Sequence, residues 1–305
     1  MAQLIIEVLK QEARVNSAVF PMFAGFASAQ EIKTIASVPG FSHNKEHQQI
    51  ATDLLHPPID EWQRPLDQSR VRKIKAVYNS TIKNNLMPNP VLLGATSANL
   101  DPQNDISLLV RSKTMPVPNG SIIVPNLYEI IIDYDPNNPK KPIWILDGQH
   151  RIEGMFSSSQ RTQPIPFILL YDTTGNSYTP SFLAEIFTHV TTGAKPMDNI
   201  HQEWMKYSFD LPSYDEIATK NALTTVIHLC STQTFGTINN PFINQIQFNP
   251  RKRKPGYYGF KFDMIEWSNI MRENYFGLGG SLPPIELAEE IVKAIKALEG
   301  LDSYY

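Results

Sequence analysis

Pro142-Ile-Trp-Ile-Leu-Asp-Gly-Gln-His-Arg-Ile-Glu-Gly154 decides how the rest of the chain is read. The apolar run Ile143 to Leu146 stops at Asp147-Gly148, and Gln149-His150-Arg151 follows at once. A short apolar run bounded by turn residues is the pattern of a buried strand. Gly148 allows a tight turn, and Asp147 is placed to cap a helix. The stretch therefore predicts strand, sharp turn, helix start. A first helical turn offers backbone N–H groups and the positive end of a dipole, which suit an anion. Arg151 adds a planar donor fork, Asp147 a carboxylate for metal or water, and His150 a proton carrier. The same residues also suit a plain capped helix with a solvated Arg and His, because short motifs match by chance.

Working outward, Glu61 to Asn84 is the second informative stretch. Val71, Ile74, Tyr78 and Ile82 recur at helical spacing and mark a buried stripe, with Arg64 before the helix and Arg70 in its first turns. Strands are expected at Gln3–Leu9, Ala18–Phe26, Pro90–Ala95, Ile106–Val110, Ile122–Val124, Leu127–Tyr134 and Ile165–Tyr171. Ser28 and Glu31 form a capping-box pattern before a short helix. From Thr179 the pattern turns helical: Phe182, Leu183, Ile186, Phe187 and Val190, then 198–210, 214–231, 260–276 and 284–298. We expect one compact protein with a mixed α/β part over 1–178 and a helical part over 179–305 packed on it.

The formal net charge of −3 means that any nucleic-acid contact must come from a local patch and not from the overall field. The densest basic run is Arg251-Lys252-Arg253-Lys254, close to Tyr257 and Tyr258, a pairing of charges and rings suited to DNA or to a solvated loop. A single cysteine, Cys230, excludes an internal disulfide and sits in an apolar helical pattern, as a core residue does. His43 and His47 are four apart, but no third ligand accompanies them, and a solvated helix is the better reading. No apolar run reaches membrane-spanning length, and we expect a cytoplasmic chain with no membrane partner. There is no G-x-x-x-x-G-K-[ST] loop, no G-x-G-x-x-G after a strand and no G-x-S-x-G elbow, which sets aside P-loop, dinucleotide-binding and serine-elbow chemistries at motif level.

Asp147-Gly148-Gln149-His150-Arg151 resembles the signature of the DGQHR-domain family, which includes DndB-like proteins of DNA-modification and phage-restriction clusters and is related to the ParB/sulfiredoxin fold. Gln63 to Ile74 looks like the family's upstream helix entry, and Phe187 to Pro196 looks like its downstream segment; the family usually has Asn where this chain has Thr191. The resemblance implies a ParB-like mixed sheet of the α+β kind with a helical C-terminal part. It implies ATP or another NTP with Mg²⁺ on Asp147. Arg64, Arg70, Gly148, Thr192, Lys195 and Arg151 would hold phosphate, and Gln149 or His150 would orient water. It also implies DNA and DNA-modification enzymes as partners, and leaves homo-oligomers open. Three readings follow: an NTPase serving a DNA-modification or defence system, a DNA-binding regulator of such an operon without turnover, and a docking subunit.

Overall fold

The computed structural model describes residues 2–40, 45, 47–57, 61–63, 66–80, 89–118, 120–192, 199–209, 217–248, 262–273 and 282–302. Strands are β1 (Ala2–Val15), β2 (Ala18–Ser28), β3 (Ala36–Ser37), β4 (Val91–Gly94), β5 (Ser107–Val117), β6 (Gly120–Tyr134), β7 (Ile143–Asp147), β8 (Pro164–Leu170), β9 (Thr234–Phe235), β10 (Ile238–Asn239), β11 (Ile246–Gln247) and β12 (Phe262–Asp263). Helices are α1 (Ala29–Ile35), α2 (His47–Leu55), α3 (Gln68–Asn79), α4 (Gln149–Phe156), α5 (Pro180–Thr192), α6 (Asn199–Ser208), α7 (Ile217–Ser231), α8 (Met264–Glu273) and α9 (Pro284–Asp302). The chain forms two compact units, Met1–Gly40 with Gln63–Val190, and Phe41–Trp62 with Thr191–Tyr305.

The first unit is a mixed α/β structure built on one eight-stranded sheet, in the order β3-β7-β4-β8-β2-β1-β6-β5. Alternation along β1 sends Ile6 and Val8 inward and leaves Ile5 and Leu9 exposed, the period of a half-buried strand. Val15 pairs with Ala18 across a two-residue turn that Asn16 enters at φ 55, a conformation Asn tolerates. β7 lies between parallel β3 and antiparallel β4, and Ile143, Trp144, Ile145 and Leu146 are all buried, which is why its sequence is a continuous apolar run. The predicted capping box at α1 is present: the Ser28 hydroxyl accepts from the Glu31 N–H, and the Glu31 carboxylate accepts from the Ser28 N–H.

Two sequence-based expectations are corrected here. Ile122–Val124 and Leu127–Tyr134 belong to one strand, β6. Pro125-Asn126 reads as a turn but forms a bulge: the register with β5 shifts between Ser112 and Thr114, and Asn126 sits at φ 60. A bulge frees Pro125 from the ladder bond it cannot donate. β1 also continues past Leu9 to Val15, because polar Lys10 to Arg14 still pairs fully with β2.

In the second unit α7 packs against α2, α8 and α9. Ile50, Leu223, Ile227, Phe248, Met264 and Val292 are among its fully or nearly fully buried side chains. Cys230 is buried here, and burial pushes its thiol well above the ordinary range. No helix among the described residues is long and apolar enough to cross a membrane.

Candidate functional site: the strand-to-helix turn at Asp147–Arg151

β7 ends at Asp147, and Gly148 turns the chain at φ 96 and ψ 7 before α4 begins. That conformation favours glycine, and packing demands it too: a Cβ on Gly148 would lie 2.6 Å from Val91 Cγ1. The N-cap of α4 is Gly148, without a side-chain cap bond, so Asp147 does not cap this helix. Its carboxylate is engaged elsewhere, since Oδ2 accepts from Arg151 Nη2 at 2.9 Å. The fork of Arg151 is shared further, with Nη1 donating to the Asn89 carbonyl at 2.8 Å and Nη2 to the Pro90 carbonyl at 3.2 Å. Arg151 thus ties the turn to the chain entering β4. Its side chain is 22 % exposed and that of Asp147 is 43 % exposed.

Gln149 and His150 are both buried. His150 Nε2 accepts from the backbone N–H of Asp67 at 3.0 Å. A backbone N–H can only donate, so His150 Nε2 is the acceptor in this bond. Asp67 in turn caps α3: Oδ1 accepts from the backbone N–H of Ser69 at 2.9 Å and of Arg70 at 3.3 Å, and from the Ser69 hydroxyl at 2.7 Å. The Ser69 hydroxyl first, then the Arg70 N–H, hold the Asp67 carboxyl at a pKa of about 2.

Gln63 completes the arrangement. β3 pairs with β7 only as far as Trp144, and the buried Gln63 amide then donates to the carbonyls of Ile145 at 2.7 Å and Leu146 at 3.1 Å. α3 crosses close to α4 because Gly154 has no side chain: a Cβ there would lie 2.5 Å from Ile74 Cγ2. Lys33 of α1 reaches Glu153 of α4 at 2.7 Å. The structure therefore brings the Gln63–Ile74 segment and the Asp147–Arg151 turn together. The partners named here for Arg151, His150 and Gln63 are not legible in the sequence, because apart from Asp147 they are backbone groups.

α3 itself carries the charge. Arg70, Arg72, Lys73 and Lys75 are exposed, Val71 and Tyr78 are buried, and the helix contains no acidic residue. None of the four basic side chains forms an ion pair with a described residue. The helix N-terminus is not an open anion seat, since Asp67 occupies the Ser69 and Arg70 N–H groups.

The remaining sequence candidates fall elsewhere. Phe187 is buried in α5. Thr192 ends α5, and its side chain lies outside the described residues, as do Arg64, Lys195 and the run Arg251 to Lys254. Among the described residues no group of three or more His, Cys, Asp or Glu is placed to hold a metal. Magnesium that arrives with a nucleotide needs one or two carboxylates besides the phosphates. Asp147 supplies one, with an oxygen already given to Arg151.

No family model matches the chain, and no curated protein matches it. Among solved structures it is similar to the C-terminally truncated chromosome-partitioning protein ParB from Caulobacter crescentus, complexed with CTP-γ-S. The identity is 9 %, the match covers 68 % of this chain and 77 % of that one, and the TM-score is 0.24. A likeness at that score carries no argument about this chain. The resemblance to the DGQHR-domain family rests on residues 63–74, 147–151 and 187–196 alone.

Proposed function

We propose that the protein binds duplex DNA through the exposed basic face of α3, as a regulator or docking component of a DNA-modification system and not as a catalyst. The observation that carries this reading is a 12-residue helix, free of acid, that presents four exposed cations with no ion pair among the described residues. In the turn, Gln149 and His150 are buried, and His150 and Arg151 bond to backbone groups. His150 holds the N-cap of α3 through the Asp67 N–H, Gln63 ties the segment before the helix to β7, and Arg70, Arg72, Lys73 and Lys75 meet phosphates.

Fluorescence anisotropy on a labelled duplex over a salt series tests this. Four phosphate contacts give a slope of log K against log salt of about −3 to −4. Each of Arg72→Gln and Lys75→Gln should reduce that slope by about one unit in a protein of unchanged stability. Unchanged binding in a folded variant with Arg70, Arg72, Lys73 and Lys75 all replaced by Gln refutes the proposal. If neutralising Arg251 to Lys254 alone abolishes binding, the interface lies on that run instead.

A second reading, nucleotide hydrolysis at the turn, is favoured by the half-exposed Asp147 beside a helix start with no side-chain cap. Phosphate release from ATP, GTP and CTP with Mg²⁺, with and without duplex DNA, tests it. Turnover that disappears in a folded Asp147→Asn variant would establish an NTPase; absence of turnover with salt-dependent DNA binding supports the first reading.

A further inference from the structure

A cleft of about 420 Å³ opens on the face of the sheet that carries Val8 and Phe23, and neither the Asp147 turn nor α3 lines it. That volume lies in the range of small-molecule sites. Lys10 pairs with Phe23 and Glu12 with Pro21 across β1 and β2, so these four side chains share the face. Tyr128 of β6 forms a wall, and the loop from Asp172 to Ser177 forms the rim.

The polar groups are few, and most have a fixed role. The Ser177 hydroxyl donates to the Val19 carbonyl at 2.7 Å, which pins the rim loop to β2. The Asp172 carboxylate accepts from the backbone N–H of Thr174 at 2.9 Å and of Ser177 at 3.0 Å. Burial pushes that carboxyl up, but the Thr174 hydroxyl and these N–H groups outweigh it and hold the pKa at about 2. The Tyr171 hydroxyl donates to the Leu108 carbonyl at 3.2 Å, which leaves its ring as apolar wall.

What remains is Lys10. Its ammonium lies 5.5 Å from the centroid of the Tyr128 ring and 2.7 Å from Glu12 Oε1. An aromatic face with a carboxylate beside it is a recognition element for organic cations. Lys10, Glu12 and Asp172 together give the lining a net charge of −1 even with the lysine counted. Arg14 does not line the cleft; it is 75 % exposed and reaches Glu12 only at 3.7 Å.

We propose that this cleft binds a small organic cation, a primary ammonium or guanidinium on a short aliphatic chain, and that Lys10 is an internal occupant which the ligand displaces. The incoming cation takes the Tyr128 face and the Glu12 carboxylate. Its chain lies on Phe23, Val19 and Val110, and Lys10 swings out to solvent.

Saturation-transfer NMR with four butyl compounds tests the proposal on the full chain: butylammonium, butylguanidinium, butyrate and butanol. The two cations should receive saturation, and butyrate and butanol should not. Lys10→Met removes the competing ammonium and should tighten the cations about fivefold, the scale of an exposed cation–π contact with a surface ion pair. Glu12→Gln should weaken them by a similar factor. A thermal melt establishes that both variants fold. Butyrate binding that Lys10→Met abolishes would make this an anion site and overturn the proposal. So would equal binding of all four compounds, or cation binding that neither variant alters.

Discussion

Replacing Arg151 by Ala separates a structural from a chemical use of the Asp147–Arg151 turn. The guanidinium makes three hydrogen bonds, to Asp147, Asn89 and Pro90. The Asp147 pair is half in solvent, so it contributes about 0.5 kcal/mol. Each bond to a backbone carbonyl contributes about 1 kcal/mol, and those carbonyls lose their donor when the side chain goes. The expected loss is about 2 to 3 kcal/mol, which for a unit of this size lowers Tm by about 5 to 10 °C. Arg151→Lys keeps the charge but loses the fork, so it should recover no more than one of the three bonds. Differential scanning calorimetry at neutral pH, with urea unfolding as the second readout, measures both variants. An Arg151→Ala protein melting within about 1 °C of the parent would refute the clamp and return Arg151 to the role of a phosphate ligand.

Gly148→Ala should destabilise by about 3 kcal/mol, from the left-handed backbone and from the clash with Val91. In a double-mutant cycle Val91→Ala should relieve about 1 kcal/mol of that, the steric share alone; strict additivity would disprove the close approach. Acid should weaken the first unit through Asp67 and Asp172, both held at about 2, below the ordinary carboxylate range. Because both are depressed on folding, their stabilisation is fully present above about pH 4 and is lost as pH falls through about 2. Asp67→Asn, which keeps most of the cap, should flatten the loss of the urea midpoint between about pH 4 and pH 2, where the cap contributes about 1 kcal/mol.

The strand, turn and helix around Asp147 were legible because each left its own mark: an apolar run, a glycine, and a polar group at a helix start. The α1 box was legible for the same reason, since Ser28 and Glu31 satisfy one another locally. β6 was not, because Pro125-Asn126 marks a turn and a bulge equally, and only the partner strand decides between them. The polar residues of the turn were found, but their partners were not. Asn89, Pro90, Asp67, Ile145 and Leu146 contribute backbone atoms, which every residue type has. Helix α2 shows a related blindness: Ile50, Ala51 and Leu54 mark an apolar stripe. A stripe does not state which core it will enter, and here 41–62 joins the helical unit while the residues on either side belong to the sheet.

Buried polar groups must find partners, and a strand that ends beside a new helix leaves backbone groups of its neighbours exposed to that demand. Gln63 meets it for Ile145 and Leu146, His150 for Asp67, and Arg151 for Asn89 and Pro90. Gln63, His150 and Arg151 are therefore what a sharply bent corner needs, whether or not anything is bound there. Loss of function on changing Gln63, His150 or Arg151 would follow from a displaced α3 as readily as from lost chemistry. Arg72 and Lys75 are different: they are exposed, carry no described ion pair and hold nothing in place. Substitution there alters the charge that phosphate meets without altering the corner, so the α3 variants test binding where the turn variants test the fold.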